Sequence, residues 1–358
     1  MQKSILIAGI SLITLFHNQA SAQDAGGTEV QRMQSSAQDF LNRGDYPNAI
    51  MMYSQAIRMA PSDVSLRRDL AYAYFLSGDL KKAKEVIDPV VASNVADELT
   101  YQVASGVENG LGNPGKARRI LNDGIAKFSY SGVLYNAKGN LLMTDKSTKA
   151  ALEAYSTGIK VEPGYPMNYY NASKIYFQNN NAVWSLLYAE IYLNLDPSSR
   201  RTIEMKKMMV DAYRLLFTPD NNDALPTFNA KSGTETEVGS FEEAFKKIMQ
   251  QGAPAITDGL NTENLIMLRT RFMLAWYNSF SINYPFTLFT LQNKMLHDGV
   301  FDAYNQWLFG AADNSAEFSL WLKTNSKEYA AFENWRKQNP LQPASYDPQP
   351  NKNIKIKD

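Results

Sequence analysis

The sequence predicts an all-α protein: a solenoid of stacked two-helix units, then a second, irregular helical domain rich in aromatic residues. Three observations predict it. Ala49, Ala83, Ala117 and Ala151 recur at one constant interval, Gly44, Gly78 and Gly112 keep that interval, and Pro61, Pro163 and Pro197 fall on its multiples. A period of this length, about 34 residues, marks helical hairpins that stack on one another and build surfaces for other chains. Within each unit the apolar residues recur at three and four, which is helical spacing. Past residue 239 the period stops, and four of the five tryptophans (Trp276, Trp307, Trp321 and Trp335) follow.

Met1 to Ala22 reads as a leader. Lys3 supplies the positive start, Ile5 to Phe16 is an apolar run too short to span a bilayer, and Ala20-Ser21-Ala22 is the small-x-small pattern of a cleavage site. Cleavage is expected between Ala22 and Gln23, with export to a bacterial periplasm. The chain has no cysteine, so it holds no disulfide, thiolate nucleophile, zinc–thiolate site or lipid-bearing cysteine. Removing the leader takes away Lys3 and no acid, leaving a formal charge of −1. Basic pairs such as Arg118-Arg119 and Lys206-Lys207 are short and scattered, which does not suit a nucleic-acid partner.

Five repeat units are expected over 30–199. The first reads Ala37-x-x-Phe40, Gly44-Asp45-Tyr46, Ala49-Ile50-x-x-Tyr53-x-x-Ala56-Ile57 and Ala60-Pro61. Gly44 sits between two helical runs, where a helix ends and turns, and Pro61 stops the second. Ala71, Tyr74, Gly78, Leu80 and Ala83 keep the register in the second unit, Gly112, Ala117 and Gly124 in the third, and Gly139, Ala151, Tyr155, Gly158 and Pro163 in the fourth. A fifth, from Pro166, is degenerate and has Ser185 and Ala189 in the small and aromatic places. This pattern resembles the tetratricopeptide repeat family, in which small residues sit where the two helices cross. The resemblance implies a right-handed superhelix. Arg200 to Phe217 reads as a capping helix over the last repeat.

Residues 218–239, with Pro219, Pro226 and Gly233, read as a linker. A C-terminal helical domain is expected over 240–338. Ser240 with Glu243 makes a capping box, and Thr262 opens a helix carrying Leu265, Leu268, Phe272, Trp276 and Phe280 on one side. Pro285 suits the first turn of the next helix, which ends near His297 and Gly299. Phe272 to Leu291 carries no charge, but Asn278, Ser279, Asn283 and Pro285 make it two buried helices rather than a membrane span. After Pro340 the polar, proline-rich residues 339–358 read as disordered.

No nucleophile elbow, phosphate loop or His-Glu-x-x-His appears. His297, the one histidine outside the leader, reads as a cation at a helix C-terminus. No cofactor, metal or catalytic residue is expected. The alternative reading is an all-helical glycoside hydrolase using two of Asp298, Asp302 and Glu317. The favoured reading is an exported scaffold whose partner is a protein or peptide of the cell envelope. The resemblance implies a concave surface lined by the first helix of each repeat, which here presents Gln34, Gln38, Arg68, Tyr72, Gln102, Asn136, Asn140, Tyr170 and Lys174. Side-chain amides both donate and accept hydrogen bonds, which suits an extended backbone. The Lys and Asn pairs with which some members grip a partner's C-terminal carboxylate are missing: Gln34 and Gln38 replace the first pair, and Arg68 is the only early cation.

Overall fold

The computed structural model describes residues 29–218, 239–351, 354, 356 and 357, and the described secondary structure is helical. The expected leader, its cleavage site and nearly all of the expected linker lie outside the described residues. The chain divides into two compact units, 1–154 and 155–358, and the boundary falls within one helix.

In the first unit the helices are α1 (Glu29–Arg43), α2 (Tyr46–Met59), α3 (Val64–Ser77), α4 (Leu80–Val91), α5 (Glu98–Gly110), α6 (Pro114–Lys127), α7 (Gly132–Thr144) and α8 (Thr148–Val161). From α1 to α7, helices that follow one another pack together, and α3, α5 and α7 also pack in succession, so the hairpins stack. The turn inside each hairpin repeats. Gly44, Gly78 and Gly112 have φ of 79°, 85° and 82°, left-handed values that glycine adopts without cost. Lys146 carries the same conformation, φ 59°, one period further on. The residue after each of the first two turns caps the second helix: Asp45 accepts from the Asn48 amide and Asp79 from the Lys82 amide.

Ala49, Ala83, Ala117 and Ala151 are all fully buried, as are Ala37 and Ala71 on the first helices. One apolar cluster runs from Ala37 and Leu41 through Ala71 and Ala83 to Val103 and Val107 without a break between repeats. Small residues are required here by geometry. A Cβ on Gly124 would lie 2.8 Å from Cβ of Tyr101, so a side chain there would push the hairpin open.

The second unit begins with the end of α8, then α9 (Pro166–Gln178), α10 (Ala182–Leu195) and α11 (Arg201–Leu216). Asn180, φ 60°, supplies the left-handed turn between α9 and α10, and Ser185 and Ala189 are fully buried on α10. There follow α12 (Phe241–Gly252), a 3-10 turn (Ala253–Ile256), α13 (Thr262–Ser279), α14 (Thr287–His297) and α15 (Phe301–Asn305). A π-helical turn (Gln306–Gly310), α16 (Ala311–Asp313), α17 (Ser315–Thr324) and α18 (Ser326–Gln338) complete it. Ser240 caps α12 by accepting from the Glu243 amide, and the returning Glu243 carboxylate takes the Gly239 amide at 2.9 Å. The uncharged run from Phe272 is broken between α13 and α14, and no helix among the described residues is long and apolar enough to cross a membrane. Pro285 lies ahead of α14 instead of in its first turn.

Two features hold this unit together. Phe241, Phe272, Trp276, Phe286 and Phe289 form an aromatic core, with ring centroids 4.8 Å apart for Phe286–Phe289 and 5.0 Å for Trp276–Phe289. Edge-to-face pairs of this kind add about 0.5–1.5 kcal/mol beyond area burial. Beside it, Glu190 of α10 and Arg269 of α13 are buried as a pair. Gln292 and Tyr304 each donate to Glu190 at 2.7 Å, and Tyr213 takes a hydrogen bond from Arg269 at 3.0 Å. α10 belongs to the degenerate repeat, so the last hairpin and the non-repeat helices share one core.

Residues expected to be disordered after Pro340 depart from that expectation up to 351. Leu341 and Asp347 are buried, and Asp347 accepts from the Thr287 amide at 3.0 Å and the Ala344 amide at 2.9 Å. The polar tail therefore supplies the cap for the first turn of α14, which has no capping side chain of its own.

Candidate protein-binding surface

Stacking turns a sequence interval into a spatial column. In the first unit Gln34, Arg68, Gln102 and Asn136 stand one period apart on α1, α3, α5 and α7. One helical turn later a second column runs Gln38, Tyr72, Gly106 and Asn140. Because the hairpins carrying these four helices stack in order, both columns cross the unit on its first-helix side. Gly106 leaves a position without a side chain between Tyr72 and Asn140.

The columns are knitted by polar contacts. Gln34 donates to Asp69 at 3.3 Å, linking α1 to α3. Gln38 donates to Asn42 at 3.3 Å and accepts from Tyr53 at 3.4 Å. Asn140 donates to Asn136 at 3.1 Å. Tyr72 stacks on Phe75 with ring centroids 6.4 Å apart. Gln34, Gln38 and Asn140 are partly exposed, whereas Tyr72, Gln102 and Asn136 are buried. The amide oxygen of Gln102, a residue 1% exposed, accepts no hydrogen bond among the described residues. An acceptor in that state is short of a partner N–H.

Arg68 differs from its expected role. Its guanidinium is buried between Asp69, which takes its Nε hydrogen bond at 2.9 Å, and Asp97, the cap of α5. It therefore fastens α3 to α5 and presents no free cation. Burial pushes the Asp69 carboxyl up, against the opposing pull of Arg68 and the Gln34 hydrogen bond.

On the α5–α6 hairpin a second cluster was not legible from the repeat pattern. Glu108 is 1% exposed and receives Lys116 at 2.7 Å, Lys84 and the Asn113 amide at 3.0 Å. Burial alone would raise this carboxyl; the hydrogen bonds from Lys116, Lys84 and Asn113 outweigh it and hold it at about 2. It braces the turn and leaves no open charge.

Tyr170 and Lys174 belong to the second unit, on α9. Lys174 donates to Glu204 at 2.7 Å and to the Tyr170 hydroxyl at 3.3 Å, and Tyr170 donates to Glu204 at 2.9 Å. Glu204, on α11, stands one period beyond Tyr170. α11 thus takes the place that the first helix of a further repeat would occupy, although its sequence carries none of the repeat's glycines.

Of the three acids in the hydrolase alternative, Asp298 is engaged by Lys294 and by the Trp335 indole N–H at 2.6 Å. Those hydrogen bonds, the one from Lys294 foremost, pull its carboxyl below the usual range. Glu317 instead lines a cleft with Glu263 and Asp313. His297 is the last residue of α14 and is exposed, with Gly299 at φ 73° just beyond it.

A stack of two-helix units of one length, with small residues at the crossings and a left-handed turn in each, defines a class of helical repeat scaffold. Residues 40–103 match the tetratricopeptide repeat family, and the chain carries tetratricopeptide repeats. Over 165 residues it is 24% identical to the human protein O-mannosyl-transferase TMTC1, covering 45% of this chain and 19% of that one. The chain thus spans about a fifth of that relative. Among solved structures it is similar to a tetratricopeptide repeat protein of Thermus thermophilus, with 17% identity, 52% of this chain and 99% of that chain covered, and a TM-score of 0.44. One from Parabacteroides merdae gives 15% identity, 80% and 100% coverage, and a TM-score of 0.35. YrrB, described as having an unusual peptide-binding site, gives 15% identity, 51% and 90% coverage, and a TM-score of 0.31.

Proposed function

We propose that this protein is an exported, non-enzymatic scaffold of the bacterial cell envelope that holds an extended segment of another protein along the first-helix columns of its repeats. The observation that carries the reading is the pair of columns themselves: at least one amide or tyrosine stands on the first helix of each of four hairpins that pack in succession. An extended strand advances about 3.3 Å per residue and offers alternating N–H and C=O groups, which a ladder of amides can meet. Arg68 and Glu108 are internally paired, so neutral contacts do the binding. Lys3, the short apolar run and Ala20-Ser21-Ala22 support export.

Asn136→Ala with Asn140→Ala tests this in a pull-down from envelope extracts. Capture of the partner is expected to fall at least tenfold while circular dichroism shows the chain still folded and helical, even though loss of the buried Asn136 hydrogen bond lowers the melting temperature. Raising salt from about 50 to 500 mM is expected to change the affinity less than about threefold, because no open ion pair is involved. Full capture by the double variant, or a steep salt dependence, contradicts the reading.

A further inference from the structure

The C-terminal half of the second unit contains a cleft of about 660 Å³ that the scaffold reading leaves unused. That is within the usual range for small-molecule sites, roughly 300–1,000 Å³. One side comes from Glu263 at the start of α13, Gln306 in the π-helical turn and Asp313; the other comes from Glu317, Phe318 and Trp321 of α17. Every charged side chain lining it is a carboxylate. Asp313 caps α13 through the Thr262 amide at 2.8 Å, and Glu263 accepts from Gln306 at 2.7 Å. Both are oriented by neutral donors, and neither has a cation among the described residues. The Glu317 carboxylate has no hydrogen-bond or ion-pair partner among them.

Gln306 supplies an independent pointer. It is 4% exposed, its amide nitrogen is used on Glu263, and its amide oxygen receives no hydrogen bond from the described residues. The oxygen lies beside Gly310: a Cβ on that glycine would sit 2.9 Å from it and 2.4 Å from the Phe318 ring. Gly310 therefore lets the π turn and α17 approach as closely as they do, and π-helical turns are often kept at functional sites. Phe318 and Trp321 are stacked, 8° between planes and 6.3 Å apart, and neither is buried. An aromatic face beside three carboxylates and the Gln306 carbonyl is matched by a ligand that is positively charged and rich in donors.

We propose that this cleft binds an organic cation bearing ammonium or guanidinium groups, held by Glu263, Asp313 and Glu317, hydrogen-bonded to Gln306 and laid against Trp321. A neutral sugar could use the ring but would leave the carboxylate charge uncompensated. The proposal stands apart from the repeat columns, which lie in the other unit.

Calorimetric titration of the full chain with spermidine at low salt tests it. Saturable one-to-one binding is expected, weakened at least tenfold by Glu317→Gln and by about 0.15 M salt. Glu317 pairs with no described side chain, so its variant is expected to melt like the parent. Trp321→Leu, if it folds, is expected to weaken binding as well. The neutral sugar N-acetylglucosamine is expected to give no binding heat. Absence of saturation with spermidine, an affinity unchanged in Glu317→Gln, or binding of the sugar in its place would overturn the proposal.

Discussion

Lys146 shows how a single residue can disagree with the backbone it occupies. The left-handed turn recurs at Gly44, Gly78 and Gly112, then at Lys146 and Asn180, always one period on. The glycines revealed the period; the last two members were invisible, because the conformation persists after the residue that favours it has gone. A side chain in this region costs about 1–2 kcal/mol. Part of that is offset by the extra chain entropy of glycine, so Lys146→Gly is expected to stabilise the protein by roughly 0.5–1 kcal/mol in chemical unfolding. A destabilised variant would mean that Lys146 makes a contact worth more than the strain. Glu108 makes a pH prediction. Its ordinary value is 4.5 and it is held at about 2 in the fold. A depressed carboxyl stabilises the folded state above the unfolded value and loses that contribution as pH falls through the folded one. Wild type should therefore exceed Glu108→Gln in stability at pH 7 by about 1–3 kcal/mol, since its lysine partners are partly solvated. The gap should close between pH 4.5 and 2. A gap independent of pH would point to packing instead.

At the scale of elements, the repeat hairpins were readable because their geometry demands small residues at fixed places. Ala117 is fully buried where α6 meets its neighbours. Ala117→Trp should cost at least the ~1–3 kcal/mol of an overpacked core, seen as a lower melting temperature. An unshifted melt would sink the assignment of this alanine to the helix crossing. The second unit was harder to read. Its helices were visible from caps and apolar spacing, but nothing in the local sequence joins Glu190 to Arg269, which are far apart in the chain and meet only through packing. The same blindness concealed Asp347, a polar residue in a proline-rich tail that reads as solvated and instead caps α14. Arg269→Leu should cost about 3–5 kcal/mol, because it strands the buried Glu190 charge. Adding Glu190→Leu should recover part of the loss, and a double variant no better than the single one would show that the pair is not coupled.

At the scale of the molecule, the chain combines periodic hairpins with aperiodic helices, and different physics writes each. Stacking repeats bury a continuous core by repetition, so a period in sequence becomes a column in space. That made the candidate surface legible as a set of positions. It did not reveal which members are spent inside the fold. Arg68 reads as an exposed cation from its register, yet its chain neighbour Asp69 and the α5 cap Asp97 enclose it. The acidic cleft of the second unit escaped for the converse reason: Glu263, Gln306 and Trp321 have no common register and converge through a π-helical turn that no periodicity signals.

The central claim is that the first-helix columns hold another protein. Site-specific photo-crosslinking in living cells tests it most directly, with the crosslinker placed at Asn140 in a column and, as control, at Tyr130, an 80% exposed residue in the turn before α7. The account predicts one discrete adduct from position 140, lost on adding Asn136→Ala, and none from position 130. No adduct from 140, or the same adduct from both positions, would contradict it.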